Sequence, residues 1–166
     1  MRVLFAAALA LGLSASPALA QSITDTDADA LLAKMSTPAF DDCIGGDQAN
    51  SLPAQQRFDA CQKALTELAD YRRKNPKATP GEKQVHLFYE FAVEMGRSTS
   101  LIQLNEPDMS KGCANIERQW ALTTKFDTSV VGPSMKENLG GVTEAVRPLV
   151  QLCRQQFPAP KGAPPA

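Results

Sequence analysis

Thr79–Met95 reads TPGEKQVHLFYEFAVEM, and this stretch decides the fold class. Thr79, Pro80 and Glu82 occupy the N-cap, first and third positions of a helix. There the threonine hydroxyl and the glutamate carboxylate each accept from a backbone amide that the helix leaves free. Behind this start come Val85, Leu87, Phe88, Tyr89, Phe91, Ala92 and Met95. These apolar side chains cover too much of the circumference for one stripe. The pattern predicts a helix buried against partners on two sides, running to about Leu104 or breaking near Gly96.

Working outward, the same period recurs. Ala28, Leu31, Leu32 and Met35 mark a first helix over Asp27–Met35, with Thr26 as cap and Pro38 as stop. A second helix is expected after Ser51, with Pro53 in its first turn. Its stripe is Phe58, Cys61, Leu65 and Leu68, and Asn75-Pro76 stops it. Arg72, Arg73 and Lys74 suit the negative end of that helix dipole, and could also dock an anionic partner. A fourth helix opens near Ser110, with Cys113, Ile116 and Trp120 on one face. From Pro133, Met135, Leu139, Val142, Val146, Leu149 and Cys153 form a regular seam. Gly140-Gly141 and Pro148 interrupt it, because glycine costs about 1 kcal/mol in a helix interior and proline kinks or breaks a helix. Two segments are therefore expected there. No strand alternation or hairpin turn signal competes. The fold class is all-α: a small antiparallel helical bundle or helical-hairpin array of four to six helices.

The first twenty residues, MRVLFAAALALGLSASPALA, have the positive start, short apolar run and small-residue end of an export signal. Cleavage is expected between Ala20 and Gln21. Removing 20 of the 166 residues leaves 146, enough for one domain with a core. Residues 21–27 are expected to fray, 28–157 to form a single helical domain, and the Pro-rich tail 158–166 to be disordered. The chain has 17 Lys+Arg and 18 Asp+Glu, a formal net charge of −1. That balance argues against nucleic acid as a partner. No further apolar run could span a membrane once the signal is removed. The expected location is the periplasm or the exterior.

The four cysteines, Cys43, Cys61, Cys113 and Cys153, fit no C-x-x-C or C-x-x-C-H pattern. An even count in an exported chain reads as structural disulfides. Three connectivities are open. Cys43–Cys61 and Cys113–Cys153 are favoured. Cys113 starts one helix and Cys153 ends the next, and those ends are neighbours in an antiparallel hairpin. Cys43 sits in a loop that folds back on the helix carrying Cys61. No metal or cofactor is expected.

His86 is the only histidine, and Glu90 and Glu94 are spaced i, i+4 on the same helix. They are candidates for acid–base work or ligand binding. The bland reading is a packing histidine and a solvated carboxylate face with Arg97 as ion-pair partner. No serine elbow, zinc-binding or phosphate-loop motif accompanies them.

Cys43 followed by RFDACQKAL (Arg57–Leu65), and then HLFYEFAVEMGR (His86–Arg97), resembles periplasmic tetratricopeptide- or Sel1-like helical repeat proteins of proteobacteria over residues 40–97. The tetratricopeptide Trp-x2-Leu-Gly-x2-Tyr pattern is absent, and no second copy stands near a period of 34. The resemblance implies a helical scaffold that binds proteins or peptides, with no catalytic residues. The expected function is an exported, non-catalytic module binding another protein or an envelope component. The alternative is a small periplasmic enzyme or ligand carrier using His86 with Glu90 and Glu94 beside a helix-lined pocket.

Overall fold

In the computed structural model, residues 22–105 and 108–157 are described. The signal peptide expected at 1–20, its expected cleavage point and the tail at 158–166 lie outside them. The described residues form seven α-helices: α1 (Asp25–Met35), α2 (Pro38–Ile44), α3 (Asp47–Ser51), α4 (Ala54–Lys74), α5 (Pro80–Leu104), α6 (Ser110–Thr123) and α7 (Pro133–Gln156). One 3₁₀ turn, Thr128–Val130, precedes α7. The last four helices form an antiparallel row in which each packs on the next. The fold is all-α, and its cysteines are bonded as Cys43–Cys61 and Cys113–Cys153.

α5 is the centre of the row, and the TPGE start is the reason it begins where it does. Thr79 Oγ1 accepts from the Glu82 amide at 3.2 Å, and Glu82 Oε2 accepts from the Thr79 amide at 2.7 Å. The helix runs through Gly96 without a break. Its wide apolar surface serves two separate cores. Val85, Tyr89 and Val93 face the first, with Cys43, Cys61 and residues of α1, α2 and α4. Phe91 faces the second, with Cys113, Cys153, Ile116 and Val146. Each core therefore holds one disulfide. Burying a ring such as Tyr89 or Phe91 stabilises by about 2–3 kcal/mol. Phe40 stacks on Tyr89 at 4.2 Å, and the Tyr89 hydroxyl donates to the Met35 carbonyl at 3.3 Å. Gly96 allows α5 to touch the first disulfide: a Cβ there would lie 2.7 Å from the Cys43 carbonyl oxygen and 2.8 Å from its sulfur.

Several expectations are corrected. Pro38 does not merely stop α1; it opens α2, with Thr37 Oγ1 accepting from the Phe40 amide at 3.2 Å. Proline is as much at home in a first helical turn as beyond a last one. Cys43, expected in a loop, stands in α2, and with α3 also formed the helix number rises to seven among the described residues. Pro53 sits one residue ahead of α4 rather than inside its first turn.

Secondly, residues 23–27 are not frayed. α1 starts at Asp25 with Thr24 as its cap, not Thr26. The Ile23 amide donates to the Val130 carbonyl at 2.9 Å, and Ile23 is only 8 % exposed. Asp25 then caps α7 from across the molecule. Its two carboxylate oxygens accept from the amides of Ser134 and Met135, both at 3.1 Å. Those bonds favour the ionised form and hold the Asp25 carboxyl below its usual pKa.

Thirdly, α7 is one helix, with Gly140, Gly141 and Pro148 inside it. All three face solvent, so water can satisfy the carbonyl that Pro148 leaves without a donor. The buried seam of Met135, Leu139, Val146, Val150 and Cys153 holds the helix together. Finally, Val150 takes the place expected for Leu149: it is 2 % exposed against 43 %. At 3.6 residues per turn, position 150 lies about 40° from position 146 around the helix and position 149 about 60°.

Candidate functional site: a groove along α5

On α5, positions 83, 87, 90, 94, 97 and 101 step by 4, 3, 4, 3 and 4. That spacing puts them on one face. α4 flanks this face on one side and α6 on the other. Because the row is antiparallel, the end of α4 and the end of α6 meet the start of α5. Their beginnings meet its far half. Two open cavities follow.

The first has a volume of about 530 Å³ and is lined by Arg72 of α4, by Lys83, His86, Leu87 and Glu90 of α5, and by Leu122 and Lys125 at the end of α6. Arg72 organises it. Its Nη1 lies 2.7 Å from Glu90 Oε2, and its Nη2 donates to the His86 carbonyl at 3.0 Å. His86 is 4 % exposed, and its ring meets the Tyr71 ring edge-on, with centroids 5.6 Å apart. Burial, and then the Arg72 charge, push its pKa below the usual value, so the imidazole is neutral at pH 7.

The second cavity, about 230 Å³, lies at the other end of the groove. Phe58 of α4, Arg97 and Leu101 of α5, and Lys111, Asn115 and Arg118 of α6 line it. The Arg97 guanidinium lies 5.8 Å from the centre of the Phe58 ring and donates to both carboxylate oxygens of Glu94, at 3.2 and 3.4 Å.

Between the cavities the α5–α6 contact is polar and closed. Asn115 Nδ2 lies within hydrogen-bonding reach of Glu94 Oε2 at 2.8 Å, the Glu94 carbonyl at 2.9 Å and Ser98 Oγ at 2.9 Å. Gln119 Nε2 donates to the Glu94 carbonyl at 2.9 Å. Buried polar groups are tolerated when satisfied in this way.

The sequence candidates thus separate. His86 and Glu90 share the first cavity. Glu94, 8 % exposed, is not part of a solvated face; it anchors α6 and Arg97. Glu90 is not an unencumbered carboxylate either, since Arg72 engages it. Of the basic trio at the end of α4, Arg72 enters the groove and Arg73 pairs with Asp70 at 2.9 Å. The sequence reading passed over Lys83, Lys111, Arg118 and Lys125. The seven-residue spacing of Lys111 and Arg118 on one helix face was the available signal. None of these four is in an ion pair among the described residues. The two cavities together carry six basic side chains. Among the described residues, Glu90 lines the first cavity and Glu94 lies between the two, both held by arginines, and Asp108 stands near Lys111. Among the described residues, no group of three or more His, Cys, Asp or Glu side chains could hold a metal ion. Nor is any helix there long and apolar enough to cross a membrane.

No family model, curated protein or solved structure matches this chain. The functional reading therefore rests on the groove itself.

Proposed function

We propose that the protein is an exported, non-catalytic binding module whose working surface is the groove along α5, and that its partner is another protein or an envelope component. The single observation that carries this is the charge of the groove: among the described residues its two cavities are lined by six basic side chains and one carboxylate, Glu90, itself engaged by Arg72, in a chain of formal net charge −1. Like charges crowded along one strip repel one another, which favours a complementary ligand. Two disulfides, one per core, support a life in an oxidising compartment. We read residues 1–20 as the signal that delivers the chain there, cut before Gln21. The helical-repeat likeness of residues 40–97 points the same way, to a scaffold for protein recognition.

The carrier or enzyme reading draws on one observation, that His86 and Glu90 line the same cavity. Glu90 tied to Arg72 at 2.7 Å and a neutral, largely enclosed His86 suit ligand binding better than proton transfer. The test is affinity capture from envelope extract with the oxidised protein, beside its Lys83→Glu/Lys125→Glu variant. A stoichiometric protein partner that the variant fails to retain supports the proposal. A partner held equally by both, or none at all, refutes it.

A further inference from the structure

We infer that the groove takes an extended acidic polypeptide segment, with carboxylates clustered at two points five to six residues apart. This rests on the groove being the working surface. It adds the chemistry and spacing of the occupant.

The spacing comes from α5. Its residues in the first cavity centre near His86 and Leu87, and those in the second near Thr99. At 1.5 Å per residue the two centres lie about 19 Å apart. A single phosphate or a small dicarboxylate cannot reach both. An extended chain advances about 3.3–3.4 Å per residue and covers the gap in five to six.

The charge pattern selects the sequence. Lys83 and Lys125 stand at one end and Lys111 and Arg118 at the other, all four exposed. Between them, Glu90 and Glu94 are neutralised by Arg72 and Arg97. The middle therefore offers an acidic group no attraction. A nucleic acid strand, with a phosphate about every 3.4 Å, would set charges against those two glutamates. A peptide can leave the middle uncharged. Each end also has apolar walls, Leu87 and Leu122 in the first cavity and Phe58 and Leu101 in the second. They give an aliphatic neighbour of each acidic cluster a place to pack.

Fluorescence anisotropy with three labelled peptides tests this on the oxidised protein. One peptide carries two glutamate pairs separated by four neutral residues. The second has the same composition with all the glutamates contiguous. The third replaces them with glutamine. The spaced peptide should bind at least about tenfold tighter than the contiguous one, and the glutamine peptide should not bind. Lys83→Glu/Lys125→Glu and Lys111→Glu/Arg118→Glu, both on exposed positions, should each lower affinity about tenfold while leaving the urea midpoint in place. Equal binding of spaced and contiguous peptides would mean general attraction to polyanions and would overturn the inference. Indifference to either variant, or displacement by millimolar inorganic phosphate, would also overturn it. If no peptide binds while the captured partner still depends on Lys83 and Lys125, the inference fails and the proposed function stands. If neither dependence exists, both fall.

Discussion

Replacing glycine by alanine at two places in this molecule should move its stability in opposite directions. At Gly96 the added Cβ would lie 2.7 Å from the Cys43 carbonyl oxygen, 2.8 Å from Cys43 Sγ and 3.2 Å from Cys61 Sγ. None of those atoms is the free end of a flexible chain. Backbone and disulfide must shift, and overpacking of this kind costs up to about 3 kcal/mol. Alanine's better helix propensity returns about 1 kcal/mol. The net expectation for Gly96→Ala is a loss of about 1–2 kcal/mol. At Gly140 a Cβ would meet nothing within 4 Å, and the residue faces solvent within α7. Gly140→Ala should therefore gain about 1 kcal/mol from propensity alone. Urea unfolding of the three oxidised proteins reads the difference. With slopes of about 1–3 kcal/mol/M, the midpoints of the two variants should separate by roughly one molar. A Gly96→Ala protein at least as stable as the parent would mean that α5 does not lie on the Cys43–Cys61 bridge. A Gly140→Ala protein that is less stable would mean that α7 is broken there, as the glycine pair suggested.

Other outcomes follow from the same contacts. Glu94→Ala leaves Arg97 largely enclosed without its carboxylate and takes from Asn115 one of its three acceptors. It should cost about 3 kcal/mol in urea unfolding, and adding Arg97→Met should recover part of that loss. Removing the 40-residue closure as Cys113→Ala/Cys153→Ala should cost about 4 kcal/mol, against about 3 for the 18-residue closure of Cys43 and Cys61. An order reversed in urea unfolding would count against loop closure as the main effect. The Asp25 carboxyl titrates below its usual pKa, so its contribution is present above about pH 3.8 and is lost as pH falls through the depressed value. The Ser134 and Met135 amides should then lose hydrogen-exchange protection in acid before the rest of α7, and at all pH values in Asp25→Ala. His86 has a folded pKa below 6.5, so its neutral form stabilises fully above pH 6.5 and progressively less as pH falls through the folded pKa. Between pH 6.5 and 5 the urea midpoint of the parent should fall further than that of His86→Leu.

Features carried by neighbouring residues were legible in the sequence. The Thr79 cap and the breadth of apolar side chains on α5 are local signals, and the structure uses both. The Cys113–Cys153 pairing was legible because antiparallel hairpins bring the start of one helix to the end of the next, whereas the pairing of Cys43 with Cys61 was reached from a loop that is in fact α2. Pro38 misled because proline marks both edges of a helix with the same chemistry. Gly140-Gly141 misled because local propensity carries a cost of about 2 kcal/mol, while the seam from Met135 to Cys153 acts along the whole helix. Glu94 could not be recognised as buried from α5 alone, since its partners Asn115 and Gln119 come from α6. The charge of the groove was hidden for the same reason. Lys83 and Lys125 lie far apart in the chain, and only the packing of α6 against α5 brings them to one cavity.

The strap from Ile23 to Asp25, fastened at the front of α7, fixes where the two extremities of the folded body emerge. Residue 22 leaves beside the first turn of α7, and residue 157 leaves beyond its last. A straight helix of that length spans about 36 Å. Dyes attached at these two positions would be held near opposite poles, with a separation that collapses or broadens only when the strap lets go. The length of α7 therefore keeps the two ends of the described body apart.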